Sequence, residues 1–283
     1  MQLQKASRKK VKIKMSISSP TGFGKTYSAL LLAYGITNNW EKICVIDTEN
    51  RSAALYEHLG SFYTIEMNPP FNINELEKAF RMCIDAGIEV IIVDSAYHFW
   101  QSVLDYVDSL GSGYQNWKKG SPVWQKFINL ILQTDIHVIS TIRKKQAYAM
   151  VQDGNKTKVE KKGLEDQVRD GFDYEMTIAF DLINDMHLAK AMKDRTRLFD
   201  GKQEFIITAE TGKQIREWCE LCKEPEKQKP TISDNAFAQA IARIQKGESL
   251  FDKLNESFNL SDEQKTLIAE EMDKYLKRQA GED

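Results

Sequence analysis

Short β-branched runs alternate with longer amphipathic stretches through the first two-thirds of the chain. That alternation predicts βαβ units on a mainly parallel sheet, because doubly buried strands read as continuous apolar runs and their crossover helices repeat about every 3.6 residues. Val11 to Ile17 reads as the first strand, followed by a Gly-containing turn and a helix from Lys25 to Tyr34. Lys42 to Asp47 is a second strand. Ile73 to Ala86 reads as a helix with Leu76, Phe80 and Cys83 on one face, and Glu89 to Asp94 is the most apolar strand. A helical region between Phe99 and Leu132 and a strand from Ile136 to Ile142 follow.

The pattern then changes. Residues 143 to 169 hold polar turns and no strong period, with eight Lys/Arg against four Asp/Glu, which predicts a long loop or hairpin. Tyr174 to Phe180, Met186 to Met192 and Glu204 to Thr208 read as edge strands, and Thr211 to Cys222 as a closing helix. A charged, proline-bracketed stretch from Glu224 to Pro230 predicts a boundary. The expected division is a core over 1–222, a linker over 223–232 and a helical module over 233–283. In that module Asn235 to Gln245, Ser249 to Phe258 and Asp262 to Leu276 read as helices, and Ser261 to Gln264 fits a capping box. A module this small is marginal alone, so it is expected to dock on the core or on a protein partner.

Composition narrows the class. The chain has 283 residues, 42% hydrophobic, enough for one large α/β core with a small appendage. With 39 basic and 41 acidic residues the net charge is −2, so any polyanion site must be local. The first residues lead into basic ones without a signal peptide's apolar stretch, and no segment approaches the roughly 18 apolar residues of a membrane span. A cytoplasmic protein without membrane contact is expected. Cys44, Cys83, Cys219 and Cys222 suit reduced thiols, and Cys219-x-x-Cys222 lacks the second pair a zinc site would need. His58, His98, His137 and His187 are dispersed without ligand spacing and are expected to be structural.

The chemistry concentrates in three places. Ser19-Pro20-Thr21-Gly22-Phe23-Gly24-Lys25-Thr26 matches a Walker A pattern at its last three residues, with Ser19 where the first Gly usually stands. Between a strand and a helix, its backbone amides converge on phosphate oxygens at a helix N-terminus. Lys25 would reach the β- and γ-phosphates of ATP, Thr26 would ligate Mg²⁺, and Tyr27 closes the nucleotide-binding segment. Asp94, ending a buried strand, would hold the Mg²⁺ shell with Thr26 as a Walker B carboxylate. Glu49, just past the strand ending in Asp47, could orient and deprotonate water, although Asp47 competes for that role. Lys25, Glu49 and Asp94 are therefore the expected catalytic set.

Val45-Ile-Asp-Thr-Glu49 with Ala53 to Gly60 resembles the RecA segment carrying the catalytic glutamate, and Val138 to Lys145 resembles the RecA strand before its mobile DNA-binding loop. The chain is similar to phage-encoded RecA-like ATPases of the AAA type, associated with recombination and single-strand annealing. Asp94-Ser95, Trp117, Ser121-Pro122, His137-Val-Ile, Gly163-Leu164, Gln167, Arg169, Tyr174-Glu175 and Lys193-Asp194-Arg195 carry the likeness across roughly residues 10 to 220. Thr141 stands where RecA has a γ-phosphate-sensing glutamine.

This resemblance implies an α/β RecA-like P-loop NTPase core, a mainly parallel sheet flanked by helices, with a C-terminal helical domain. It implies Mg²⁺-dependent ATP hydrolysis coupled to work on single-stranded DNA, in a bacterial host cytoplasm if phage-encoded. Arg143, Lys144, Lys145, Lys156, Lys158, Lys161 and Lys162 are the candidate DNA-binding cations. Tyr114, Trp117 and Trp124 could stack on bases, although such spacing also suits a core. Lys193 and Arg195 could reach ATP on a neighbouring subunit, which implies a ring or filament, or could pair locally. A helicase- or packaging-type motor and a nucleotide-switched adaptor are the alternative readings of the same core.

Overall fold

The structure is a computed structural model that describes residues 11–153, 156–220 and 231–280. These fall into two compact units, one running up to residue 220 and the other from residue 231. Of the linker expected over 223–232, residues 223–230 lie outside the described residues, as does Cys222, while Ile232 belongs to the core of the second unit.

The first unit is built on a sheet in the order β3-β2-β4-β5-β1-β7-β8-β9. The strands are β1 (Lys14–Ser19), β2 (Ile43–Asp47), β3 (Tyr63–Glu66), β4 (Val90–Asp94), β5 (His137–Asp153), β6 (Lys156–Asp166), β7 (Ile178–Leu182), β8 (Leu188–Asp194) and β9 (Phe205–Ile206). From β3 to β7 all neighbours are parallel, while β8 and β9 add antiparallel at one edge. This is the expected α/β architecture, a mainly parallel sheet flanked by helices.

Both faces of the central strands are buried, and their residues divide by parity. Ile91 and Val93 of β4 join one apolar cluster with Leu76, Phe80, Phe99 and Phe127, whereas Val90 and Ile92 join another with Leu30, Leu32 and Ile215. The first cluster is covered by α2 (Ile73–Asp85), α3 (Ala96–Ser109) and α4 (Trp117–Gln133). The second is covered by α1 (Lys25–Thr37) and α6 (Ala209–Glu220). On α2, Leu76, Phe80 and Cys83 share the buried face as expected. Trp124 is 3% exposed and belongs to the core, while Tyr114 is 87% exposed.

Two sequence expectations need correction, and a third, the loop or hairpin over residues 143–169, resolves to the hairpin. Tyr174 and Glu175 are not strand: they lie in the short helix α5 (Phe172–Glu175), and the strand begins at Ile178. β3 has no counterpart in the sequence reading because, as an edge strand, it shows a mostly exposed pattern with no apolar run. Residues 143–169 are largely a two-stranded extension: β5 continues past Ile142 and pairs antiparallel with β6 from Lys144↔Asp166 to Asp153↔Lys156.

The second unit has its own small core of Ile232, Ile244, Leu250, Leu260 and Ile268. It comprises α7 (Asp234–Ile244), α8 (Phe251–Ser257) and α9 (Asp262–Ala280). The capping box forms at α9: Gln264 N donates to Ser261 Oγ at 3.2 Å, and Ser261 N donates to Gln264 Oε1 at 3.0 Å. Among the described residues no helix is long and apolar enough to cross a membrane.

Candidate nucleotide site

Strand register assembles the site before any side chain is considered. Asp47 of β2 lies level with Asp94 of β4, Val93 with Ser140 of β5, and Ser19 of β1 with Arg143 of β5. Strands β1, β2 and β4 thus end level with the point where β5 leaves the parallel sheet, and the residues just past that level form one rim.

The turn from β1 into α1 has the form of an anion cradle. Gly22 and Gly24 adopt left-handed φ values of 89° and 85°, and a Cβ added at Gly22 would meet nothing within 4 Å. Gly24 caps α1 without a side-chain hydrogen bond, and no acidic residue occupies the first turn, so the positive end of the helix faces the turn uncompensated. Lys25 Nζ donates to the carbonyls of Ser19 at 3.1 Å and Pro20 at 3.0 Å, folding back across the loop. Burial lowers its pKa, while Glu49 and Asp94 oppose the shift. The residues fit a phosphate group: two left-handed glycines lead the chain into an uncapped helix N-terminus, with the Lys25 cation bonded back onto the same turn.

Asp94 is buried and takes two hydroxyl donors, Thr26 Oγ1 at 2.6 Å and Thr141 Oγ1. Its pKa is raised chiefly by burial, with these two hydrogen bonds opposing. Among the described residues no group of three or more His, Cys, Asp or Glu is placed to hold a metal ion. A hydroxyl and a single carboxylate suit Mg²⁺, which keeps waters and shares its coordination with substrate phosphates. The donor set therefore fits an ion that arrives with a nucleotide.

Main-chain amides distinguish the surroundings of the two acids after β2. Asp47 Oδ1 accepts from Glu49 N at 2.6 Å and Oδ2 from Ala53 N at 2.9 Å, so both oxygens of this buried side chain shape the turn. Glu49 is left to face the rim. Its Oε1 accepts from Arg143 Nε and Nη2, both at 2.9 Å, and the Tyr97 ring supports the guanidinium at 5.4 Å from the centroid. Burial would raise the Glu49 pKa, but Arg143 outweighs it through hydrogen bond and charge, and the net shift is downward.

A family model described as an AAA domain matches residues 11–216. The chain belongs to the AAA domain family. No curated protein matches it. Among solved structures it is similar to a KaiC-like protein from the hyperthermophilic archaeon Pyrococcus horikoshii OT3, with 16% identity over 70% of this chain and 86% of that one and a TM-score of 0.42. It is also similar to the RadB recombinase, with 15% identity over 71% of this chain and 89% of that one and a TM-score of 0.41.

In this AAA domain the remaining candidate cations divide by position. Arg143, expected to face DNA, is engaged by Glu49 in the nucleotide site. Lys144 is bonded to Asp181 at 2.5 Å and lies 3.6 Å from Asp166, fastening the base of the β5–β6 hairpin. Lys145 pairs with Glu165 at 3.4 Å, and Lys161 is exposed on β6. The side chains of Lys156, Lys158 and Lys162 lie outside the described ones. Lys193 Nζ donates to the carbonyls of Asp173 and Tyr174, and Arg195 Nη2 to that of Tyr174 at 3.2 Å. Neither is paired with Asp194, whose oxygens take Thr196 and Phe199 instead.

Sequence reading missed three residues around the AAA domain's cradle. Tyr56 meets Tyr27 with ring centroids 5.9 Å apart. His187, at the β7–β8 turn, hydrogen-bonds the Phe23 carbonyl through Nδ1 at 2.8 Å, and a Cβ on Gly24 would stand 2.9 Å from that nitrogen. His98 bonds Thr48 at 2.7 Å. Dispersed histidines give no spacing signal, because their partners are brought by the sheet and not by the local chain.

Proposed function

We propose that this chain is a Mg²⁺-dependent ATPase that hydrolyses ATP to ADP and phosphate and acts on single-stranded DNA, in phage-type recombination, annealing or repair. The observation that carries the reading is the ion pair between Glu49 and Arg143: the carboxylate at the nucleotide rim is held by a residue of the strand that extends into a lysine-rich hairpin.

Lys25 and the amides of residues 22 to 26 bind and orient the triphosphate. Thr26 and Asp94 would hold Mg²⁺, which when bound neutralises charge on the phosphate oxygens. Glu49 takes a proton from the attacking water once it leaves Arg143. A hairpin that engages DNA phosphates pulls on β5, and Arg143 lies on that strand, so DNA occupancy and release of the base become one motion. Lys193 and Arg195 complete a neighbouring subunit's site, which makes the working form a ring or filament. The helical module serves a protein partner.

The test is ATP turnover with and without single-stranded DNA. Lys25→Ala is expected to abolish binding or turnover, and Glu49→Gln to bind ATP yet hydrolyse it at least about a hundredfold more slowly. Undiminished turnover in Glu49→Gln would remove it as the base, and DNA affinity indifferent to salt would remove the hairpin as a phosphate-binding element.

A further inference from the structure

The first turn of α3 places Tyr97 and His98 side by side, and each supports a different part of the surroundings of Glu49. Tyr97 lies under Arg143. His98 Nδ1 lies 2.7 Å from the hydroxyl of Thr48, the residue immediately before Glu49. Thr48 is buried and ties the end of β2 to the end of β4: its N donates to Asp94 O at 2.8 Å, and its Oγ1 accepts from Ser95 N at 2.9 Å.

A hydroxyl offers one proton and two lone pairs. Thr48 Oγ1 has a partner for each: it accepts from Ser95 N–H, and Asp94 O at 3.1 Å and His98 Nδ1 at 2.7 Å take the other two places. The imidazole is fixed from the other side by Phe71, stacked at 4.9 Å and 19°. Both rings line a cleft of about 710 Å³ with Pro69, Gln101 and Asp105, so His98 forms the wall between Thr48 and that cleft. The ring also senses the charges of Arg143, Glu49 and Asp47.

We propose that His98 is a positioning residue for hydrolysis, holding Thr48 so that Glu49 is presented to water at the γ-phosphate. The proposal rests on the ATPase reading above. The turn carrying Glu49 is then restrained at three points: Asp47 on its amide, Arg143 on its carboxylate, and His98 on the preceding side chain. Loss of the imidazole leaves Thr48 bonded to Ser95 and Asp94, so the strands stay joined. It removes the support on the cleft side and lets the Glu49 turn wander. A general base works only within hydrogen-bond reach, whereas the cradle from Ser19 to Thr26 meets this network through Thr26 on the Asp94 carboxylate, away from the Thr48–His98 contact.

The test compares wild type, His98→Ala, His98→Asn and Glu49→Gln in kcat, KM, affinity for Mg·ATP and melting temperature. Asparagine places a polar side-chain atom near the position of Nδ1. His98→Ala is expected to lose about tenfold or more in kcat, with KM, nucleotide affinity and folding retained, and His98→Asn to recover most of the loss. Wild-type kcat in His98→Ala overturns the proposal. So does an Asn variant no better than Ala, or a loss matched by equal loss of nucleotide affinity. Wild-type turnover in Glu49→Gln is a different result and overturns the assignment of the base itself.

Discussion

Glu49 gives one carboxylate oxygen to two nitrogens of Arg143, across 94 residues of sequence. The contact exists because β2, β4 and β5 lie side by side, so that Arg143 emerges at the same rim as the turn after β2. Arg143 is planar, always charged and backed by an aromatic ring, which makes it a firm anchor for a half-buried carboxylate. The pair keeps Glu49 ionised and simultaneously holds it on its partner. A carboxylate so held is charged but restrained.

Arg143→Gln is expected to act on turnover in two ways. Burial favours the neutral carboxyl and Arg143 reverses that, so Glu49 stays ionised to lower pH than an ordinary glutamate. Without the guanidinium the acid limb of the kcat profile moves up in pH. At neutral pH the DNA-free rate rises and stimulation by single-stranded DNA shrinks, because the restraint has gone. A pH–rate profile with and without DNA checks both, and an unmoved acid limb together with wild-type stimulation excludes the latch.

Two glycines set a close helix contact that no activity requires. A Cβ on Gly35 of α1 would fall 2.0 Å from Ala209 O, and one on Gly212 of α6 would fall 2.1 Å from Leu32 O. In both cases the obstacle is backbone, which cannot rotate away. Gly35→Ala or Gly212→Ala is expected to cost about 3 kcal/mol, the upper part of the usual range for overpacking. Urea unfolding measures it. A loss of unfolding free energy below a tenth of that size would mean that the two helices part easily.

What the chain revealed on reading depended on how far apart the determinants lie. The cradle was legible because strand, glycines, Lys25, Thr26 and helix are contiguous, and β4 because five buried residues in a row need no partner to be recognised. The choice between Asp47 and Glu49 was not, since it turns on where two backbone amides point. Arg143 read as one member of a basic run, and only the sheet order turns it toward Glu49. Thr141, noted as a departure from glutamine, follows Ser140, the partner of Val93, and donates to Asp94, a role that strand pairing discloses.

His137 gives a test of the fold independent of catalysis. It is buried at the start of β5, where its Nδ1 accepts from Ile13 N at 3.1 Å. Burial, reinforced by the charges of Lys12 and Lys14, pushes its pKa from 6.5 down to about 3. A group whose folded pKa is depressed contributes stability that is fully present above the unfolded value and lost as pH falls toward the folded one. Between these two values the unfolded chain takes up a proton that the folded chain refuses. Folding stability should therefore decline there by about 1.4 kcal/mol per pH unit on account of this residue. His137→Gln removes the titration while offering a side-chain oxygen to Ile13 N–H. Urea unfolding of both proteins across the window is expected to show a slope shallower by one proton in the variant. Coincident slopes would mean that His137 is protonated in the native protein, and that the hydrogen bond from Ile13 does not hold it neutral.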